Sequence, residues 1–236
     1  MTILALETSA ARCQAALYDG NSLRVVEESD AQHSRVLLAL IQTLLKQEDL
    51  ALQALQAIAV ANGPGSFTGL RIGIAIAQGL AYAARLPVVP VGTLAALAYA
   101  AEQNSRAARG GLPLRVLAPI DARKAQVYSA WFHCNEESVQ MLGQQSLDDP
   151  QNIACYAIEG DEANTVQSFE QLIVGTGLRY KEALPGWAQQ YCNEQTSELE
   201  PGAEAVAGLA ARALQRGQGI PAAELQPLYL RNKVTD

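Results

Sequence analysis

Residues 62–75 read Asn-Gly-Pro-Gly-Ser-Phe-Thr-Gly-Leu-Arg-Ile-Gly-Ile-Ala, and the rest of the chain is organised around this glycine-rich turn. The apolar run over 57–61 before the turn predicts a buried strand, and the apolar residues after it predict a helix over 69–84. Glycine supplies the backbone conformations that a tight turn requires, and Ser66 or Thr68 is suited to cap the helix. Such a turn is typical either of a strand-to-helix connection without a ligand or of an anion-binding site.

Composition and charge narrow the class of protein. The 236 residues are 49% hydrophobic and 17% charged, which is typical of a folded globular chain. The formal net charge of -7 disfavours strong binding of nucleic acid by this chain alone. The N-terminal sequence lacks the pattern of a signal peptide, and no uninterrupted apolar run reaches membrane-spanning length. The four cysteines are widely spaced, which favours free thiols, so we expect a cytoplasmic protein without a membrane segment.

The pattern of strands and helices predicts two lobes. Polar, glycine-rich residues 104–113 interrupt it, so the first lobe is predicted over 1–104 and the second over 105–219. The tail, about 220–236, is expected to pack back on the first lobe. The basic residues in and after the joint are interleaved with apolar ones and are predicted to lie on a solvated face; they are Arg106, Arg109, Arg115, Arg123 and Lys124.

Three features recur in one order at nearly one spacing, which indicates an internal duplication. Glu7 follows the first strand and aligns with Asp121, and the strand over 13–18 aligns with 127–132. Later in each half, Gly63-Pro64-Gly65 aligns with Gly175-Thr176-Gly177. This organisation is that of the actin-like, Hsp70-like and sugar-kinase-like (ASKHA) α/β fold. We therefore expect two duplicated lobes, each with a mixed sheet and flanking helices.

The matching acidic residues raise a first functional hypothesis, a nucleotide-binding ATPase or phosphotransferase. In it, Glu7 and Asp121 hold Mg²⁺ beside phosphates in a cleft, while Gly175 and Gly177 admit an adenosine. Two features argue against turnover: Glu7 is one methylene longer than the Asp common in active members of the fold, and the turn after each acidic residue lacks glycine. Weak binding by a vestigial cleft stays open.

The histidines argue against a metal-dependent transferase or peptidase. Paired histidine ligands on one helix lie three or four residues apart, whereas His33 and His133 are separated by a whole lobe. No metal site and no catalytic residue is predicted for this chain.

Four segments of the sequence together resemble the TsaB (YeaZ) family: Ile-Leu-Ala-Leu-Glu-Thr-Ser at 3–9, the glycine turn at 62–73, Ala-Pro-Ile-Asp-Ala-Arg at 118–123 and Tyr-Leu-Arg-Asn at 229–232. The resemblance runs from end to end. It implies a non-catalytic subunit that binds and activates its paralogue TsaD, together with TsaE. The product is N6-threonylcarbamoyladenosine, next to the anticodon of tRNAs that read codons starting with A. ATP and metal are expected on the partner subunits, tRNA contact only through the complex, and a homodimer of the isolated chain stays open.

Two apolar helices are the predicted docking surface. The helix over 33–46 has a wider apolar stripe than one core-facing side needs, and the helix over 69–84 is apolar nearly all round. The second helix is either buried inside the first lobe or part of a seam with a partner, and the resemblance favours the seam. The predicted contact residues are Val36, Leu37, Leu40, Ile41, Leu44, Gly69, Leu70, Gly73, Ile76, Ala77 and Leu80. On this interpretation the glycine turn sets the direction of a docking helix, and anion binding at the turn is the second alternative.

Overall fold

A computed structural model describes residues 1–29, 32–155, 169–192 and 194–231. The chain forms two compact units. Unit 1 comprises Met1–Ala96 and Pro201–Tyr229, and unit 2 comprises Leu97–Glu200 with the described residues after Tyr229. Each unit is built on one mixed β-sheet.

The sheet of unit 1 has five strands. They are β1 (Ile3–Glu7), β2 (Cys13–Tyr18), β3 (Leu23–Glu28), β4 (Ala57–Gly63) and β5 (Val88–Gly92). Their order is β3-β2-β1-β4-β5, with antiparallel pairing between β3, β2 and β1 and parallel pairing between β1, β4 and β5. The central strands β1 and β4 are buried on both faces, which explains their nearly continuous apolar sequence.

Helices cover both faces of this sheet. On one face, α1 (His33–Gln47) and α2 (Phe67–Ala84) share a core with Leu4, Leu17 and other apolar strand residues. Because side chains alternate along a strand, Gln14 of β2 points to the other face. There its Oε1 accepts the N–H of Ala203, the first residue of α6 (Ala203–Gln215), at 2.9 Å. The helix α6 packs on β1, β2 and β5 through a face of small buried residues.

The helix α2 also qualifies as a membrane span by length and composition, which the sequence analysis did not expect. This is weak evidence for a membrane segment, because a helix packed on the sheet of a soluble protein passes the same test. In this chain α2 packs against β4.

The sheet of unit 2 repeats part of this arrangement. Its strands are β6 (Leu114–Leu117), β7 (Ile120–Asp121), β8 (Val127–Cys134), β9 (Val139–Asp148) and β10 (Glu170–Ile173). β8 pairs antiparallel with β6, β7 and β9, and β10 pairs parallel with β6. Ala118 and Pro119 separate β6 from β7. Proline lacks the N–H that a ladder needs, which accounts for the break.

A short helical region completes unit 2. A 3-10 helix over Thr176–Ala183 is followed by the short helices α4 (Gly186–Gln189) and α5 (Glu194–Ser197). These pieces are too short to show a helical period in the sequence. The rings of Trp131 and Trp187 stack at 5.8 Å inside the local core. The helix α3 (Thr93–Ser105) begins in unit 1 and continues into unit 2.

The two sheets confirm the predicted duplication and the ASKHA class of α/β fold. In unit 1 the order is β3-β2-β1-β4, and in unit 2 the corresponding order is β9-β8-β6-β10, with the last pair parallel in both. The aligned glycines Gly63 and Gly175 also share one backbone conformation, with φ of 118° and 122°. That region favours glycine, so both halves need it at the same point.

The predicted lobe boundaries differ from the observed units. The units divide between Ala96 and Leu97, within α3, rather than near 104, and residues 201–219, expected in the second lobe, lie in unit 1. The reason is that α6 buries its small residues on the sheet of unit 1. The described end of the tail is divided as well: residues 220–229 belong to unit 1, while Arg231 belongs to unit 2 and donates to the Gln126 side chain at 2.7 Å.

The basic residues near the predicted joint are not all solvated. Glu102 forms ion pairs with Arg106 at 2.8 Å and with the buried Arg109 at 3.3 Å. The guanidinium of Arg115 lies 3.6 Å from the ring centre of Phe169, and Arg115 is itself buried. Arg106 follows Glu102 by four residues, a spacing that favours an ion pair along a helix, whereas the contacts of Arg109 and Arg115 could not be inferred from charge spacing.

Candidate functional site

Glu7 ends β1 and is fully buried. Its Oε1 accepts the N–H of Ser9, two residues further on, so the carboxylate stabilises its own turn. Nearby, burial and then the charge of Glu7 raise the pKa of the Cys13 thiol to about 11. The Cys13 thiol therefore stays protonated at neutral pH and is a structural group.

Asp121 ends β7 and plays the same part in unit 2. Its Oδ1 accepts the N–H of Arg123, again two residues further on, at 2.9 Å, and the hydroxyl of Tyr180 at 3.0 Å. Its Oδ2 accepts from Arg179 at 2.9 Å. Burial alone would raise the pKa of Asp121, but these three donors outweigh it and hold the pKa below its ordinary value. Donors from this chain thus surround the carboxylate predicted to hold Mg²⁺.

The Gly-x-Gly of unit 2 is required by close packing. A Cβ on Gly175 would lie 2.5 Å from the carbonyl oxygen of Pro119, and one on Gly177 would lie 2.7 Å from the Pro119 Cβ. The N–H of Gly177 also donates to that carbonyl at 3.0 Å. An adenosine is therefore not needed to explain these glycines. Since Glu7 lies in unit 1 and Asp121 in unit 2, a shared vestigial cleft stays a prediction.

A cavity of about 680 Å³ lies next to the Gly-x-Gly in unit 2. Its charged lining is mixed: Arg179 and Lys181 are positive, and Glu198 and Glu200 are negative. This lining shows no excess of positive charge that would favour a phosphate.

The glycine turn of unit 1 is occupied by the chain itself. Of the two predicted caps, Ser66 and Thr68, it is Ser66 that caps α2, and its Oγ accepts the N–H of Gly69 at 3.2 Å. The N–H of Ser66 donates to the Ser9 carbonyl at 2.9 Å. A Cβ on Gly69 or Gly73 would collide with Thr8, whose hydroxyl donates to the Gly69 carbonyl at 2.8 Å. The turn and the start of α2 therefore pack against the loop that follows β1 and form hydrogen bonds with it.

The same turn holds the C-terminal segment, residues 220–229, which sequence reasoning did not connect to it. Leu228 donates its N–H to the Asn62 carbonyl at 2.7 Å, and a Cβ on Gly63 would meet the Leu228 carbonyl. Arg71 donates to the Tyr229 hydroxyl at 2.9 Å. In the sequence, the sole hint of this contact is that the glycine turn at 62–73 and the segment at 229–232 both belong to the resemblance to the TsaB family.

An aromatic contact completes this docking. The rings of Phe67 and Tyr229 lie 5.6 Å apart, and the Arg71 guanidinium lies 3.8 Å from the centre of the Phe67 ring. Further along α2, the Gln78 side chain donates to the carbonyls of Ala222 and Leu225 at 3.2 and 3.0 Å. Two polar side chains of α2, Arg71 and Gln78, thus bind the tail.

Most of the predicted docking residues are in the core. Seven of them are buried, so they cannot contact a partner in this conformation: Leu37, Ile41, Leu44, Gly69, Leu70, Gly73 and Ala77. Val36, Leu40, Ile76 and Leu80 are half-buried and keep part of their surface outside. The correction has a physical cause: the glycines at 69 and 73 let α2 lie close to Thr8 and to β4.

A different face of α2 is exposed. It carries Ala75, Gly79, Tyr82 and Ala83, which we name the α2 outer face. Tyr82 is 84% exposed, and a Cβ on Gly79 would meet nothing within 4 Å. On α1 the exposed apolar residue is Leu38, at 46%. Because Ala75, Gly79 and Ala83 are four residues apart, they line one side of the helix.

The histidines lie in different units. His33 begins α1, with Nε2 3.2 Å from the Ala11 carbonyl, and His133 lies in β8. Within the four described ranges, no three His, Cys, Asp or Glu side chains come together as a metal site would require.

Comparison with known proteins identifies relatives along the whole chain. A family model described as "TsaD: tRNA N6-adenosine threonylcarbamoyltransferase" matches residues 25–184. A Haemophilus influenzae protein named tRNA threonylcarbamoyladenosine biosynthesis protein TsaB is 34% identical, covering 100% of this chain and 95% of the relative. The Escherichia coli protein of the same name is 33% identical, covering 99% and 96%.

A solved structure agrees with these matches. The crystal structure titled "YeaZ from Pseudomonas aeruginosa" is 33% identical, has a TM-score of 0.81, and is aligned over 97% of this chain and 99% of that one. The TsaD family model, the two full-length relatives and this structure agree on one origin. The chain therefore belongs to the TsaB (YeaZ) family, a family of paralogues of TsaD.

Proposed function

We propose that the protein is a non-catalytic subunit in the biosynthesis of N6-threonylcarbamoyladenosine in tRNA, which binds and activates a TsaD transferase together with TsaE. The names of the relatives support the pathway. The match to the TsaD model supports TsaD as the partner, because paralogous chains can pack through equivalent surfaces. ATP, metal and the tRNA are then engaged by the assembled complex.

One observation carries the docking part of this proposal: α2 is strongly apolar but only partly buried. Its length and composition would suit a membrane span, yet only a third of its residues are buried. An apolar helix surface in a folded protein is normally covered. The tail covers the side of α2 that carries Gln78, and the outer face lies open.

Gly79 shows what kind of partner suits this face. A glycine inside a helix costs about 1 kcal/mol relative to alanine, and nothing in the described part of the chain explains Gly79, since a Cβ there would meet open space. Small residues let a second helix approach closely. The α2 outer face therefore suits a helix of the partner, with the exposed Tyr82 ring as an anchor at its edge.

The environments of Glu7 and Asp121 support a non-catalytic role. Each carboxylate accepts the N–H two residues further on, and Arg179 and Tyr180 also bind Asp121. An Arg partner competes with a divalent cation for the same oxygens. The alternative, an ATPase of the actin-like fold, needs the Asp121 carboxylate for Mg²⁺.

The experiment is to place a bulky side chain on the α2 outer face. Gly79→Gln should weaken binding to TsaD at least about tenfold, which corresponds to about 1.4 kcal/mol, and should lower formation of the modified adenosine in proportion. The measurement is titration of labelled protein with TsaD, followed by the reaction with TsaE, ATP and tRNA.

The matched control is Gly186→Gln in unit 2, because Gly186 also has open space around a Cβ and no positive φ. It should bind TsaD as the unchanged protein does. Both variants should keep the unfolding temperature within a few degrees. If Gly79→Gln binds TsaD with unchanged affinity, the partner does not dock on this face.

A further inference from the structure

The cavity next to the Gly-x-Gly of unit 2 has no part in the proposed docking of TsaD. Its volume of about 680 Å³ lies within the range of about 300–1,000 Å³ that is typical of small-molecule sites. One wall is the 3-10 helix over Thr176–Ala183, and the second wall consists of Cys192, Ser197, Glu198 and Glu200. The N–H of Gly175 donates to the Thr196 carbonyl at 2.9 Å and so joins the two walls. The whole cavity therefore belongs to unit 2.

The charged residues of this cavity are separated by sign. Both cations, Arg179 and Lys181, belong to the 3-10 helix. Both carboxylates, Glu198 and Glu200, lie on the second wall. In the ranges that the structure describes, neither Lys181 nor Glu198 has an ion pair or a side-chain hydrogen bond. One cation and one carboxylate thus line the same cavity without contacting each other, and both can bind a ligand that lies between them.

This charge pattern selects a ligand that carries both signs. A phosphate or a simple carboxylate is repelled by the acidic wall, and a simple ammonium ion is repelled by the basic wall. A ligand with one carboxylate and one ammonium group pairs with both walls, because each group forms a charge-assisted hydrogen bond with the opposite charge. A free α-amino acid is the simplest compound that carries these two groups.

The uncharged lining suits a small side chain with a hydroxyl group. The Thr176 Oγ1 accepts the N–H of Asp121 at 3.1 Å, which leaves the hydroxyl hydrogen of Thr176 to donate to a ligand. Leu178 adds apolar surface. Burial raises the pKa of the Cys192 thiol, so this side chain is uncharged at neutral pH. A hydroxyl donor beside apolar surface matches a side chain that has both a hydroxyl and a methyl group.

We propose that this cavity binds a free α-amino acid with a small hydroxylated side chain. The carboxylate of the amino acid pairs with the Lys181 ammonium, and its α-ammonium group pairs with the Glu198 carboxylate. The Thr176 hydroxyl donates to the side-chain hydroxyl of the ligand. Binding forms and breaks no covalent bond. Because the α2 outer face lies in unit 1, amino-acid binding in unit 2 is independent of the proposed docking of TsaD.

The test is isothermal titration calorimetry of the full chain with L-threonine and three analogues. L-Threonine should bind. N-Acetyl-L-threonine lacks the ammonium group and L-threonine amide lacks the carboxylate, so each should bind at least about tenfold more weakly. L-Valine has the shape of L-threonine without the hydroxyl group. It should also bind more weakly, because it leaves the Thr176 donor without a partner.

Two variants test the charges of the protein. Lys181→Gln and Glu198→Gln should each weaken the binding of L-threonine at least about tenfold, because each removes one of the two opposite charges. The matched control is Glu182→Gln, since Glu182 is exposed on the same 3-10 helix but does not line the cavity. This control and the docking variant Gly79→Gln should bind L-threonine as the unchanged protein does.

Three results would each overturn the proposal. The first is that L-threonine at millimolar concentration gives neither heat of binding nor a change in the amide chemical shifts of the protein. The second is that either blocked analogue binds as tightly as L-threonine, which would indicate a site for a simple ion. The third is unchanged affinity in both Lys181→Gln and Glu198→Gln. Circular dichroism checks that each variant is folded.

Discussion

Glycines of one helix face opposite environments in this protein. Gly69 and Gly73 lie against Thr8, whereas Gly79 lies in open space. Their spacing in sequence shows that residues four apart share a side of α2, but it does not show which side is buried. The predicted small-residue stripe at 69, 73 and 77 was therefore placed on the wrong side, and the exposed stripe is one at 75, 79 and 83. The prediction of a helix cap at Ser66 or Thr68 depended on local chemistry alone, and the structure shows that the cap is Ser66.

Alanine at these glycines should have opposite effects on stability. Gly73→Ala brings a Cβ into Thr8 and should lower the free energy of unfolding by about 2 kcal/mol, as overpacking does. Gly79→Ala adds a methyl in open space and should raise it by up to about 1 kcal/mol through helix propensity. Urea unfolding followed by circular dichroism measures both. Equal effects of the two substitutions would contradict the assignment of buried and exposed sides.

At the scale of elements, the strands and helices with clear periodicity were predicted within a few residues. The hairpin strand β2 and the start of α1 agree with the sequence pattern, because a hairpin turn and an apolar period mark them locally. The pieces of unit 2 after Thr176 could not be predicted, since they are too short for a period. The docking of the tail on α2 also could not, because it joins residues far apart in the chain.

The docking of the tail should depend more on the buried side chain of Leu225 than on the aromatic contact of Tyr229. Leu225 is buried in the core of unit 1, so Leu225→Ala should lower the free energy of unfolding by about 3 kcal/mol. Tyr229 is 41% exposed, and Tyr229→Ala should cost less than about 1 kcal/mol while speeding hydrogen exchange at Leu228. Exchange mass spectrometry of the C-terminal peptide, beside urea unfolding, checks both. A larger loss from Tyr229→Ala would show that the aromatic contact holds the tail.

At the scale of the whole molecule, the duplication was visible in sequence but the division of the chain was not. Glu7 and Asp121 accept the same turn hydrogen bond, and Gly63 and Gly175 have the same backbone conformation. Each aligned pair therefore has the same local role in its own half, which is why the pairs are visible in the sequence. The boundary depends on where α6 packs, and its amphipathic pattern fits either sheet. Only the packing of its small residues against β1, β2 and β5 assigns it to unit 1.

Overpacking α6 should therefore loosen the sheet of unit 1. Ala207 is fully buried, and Ala207→Leu should cost about 2 kcal/mol, because α6 must move away from β1 and β2 to admit the larger side chain. Hydrogen exchange should then accelerate in β1 and β2 more than in β8. Gln215→Leu adds the same side chain at an exposed position of α6 and should change neither strand. Acceleration confined to β8 would instead assign α6 to unit 2, as the sequence boundary at 105–219 required.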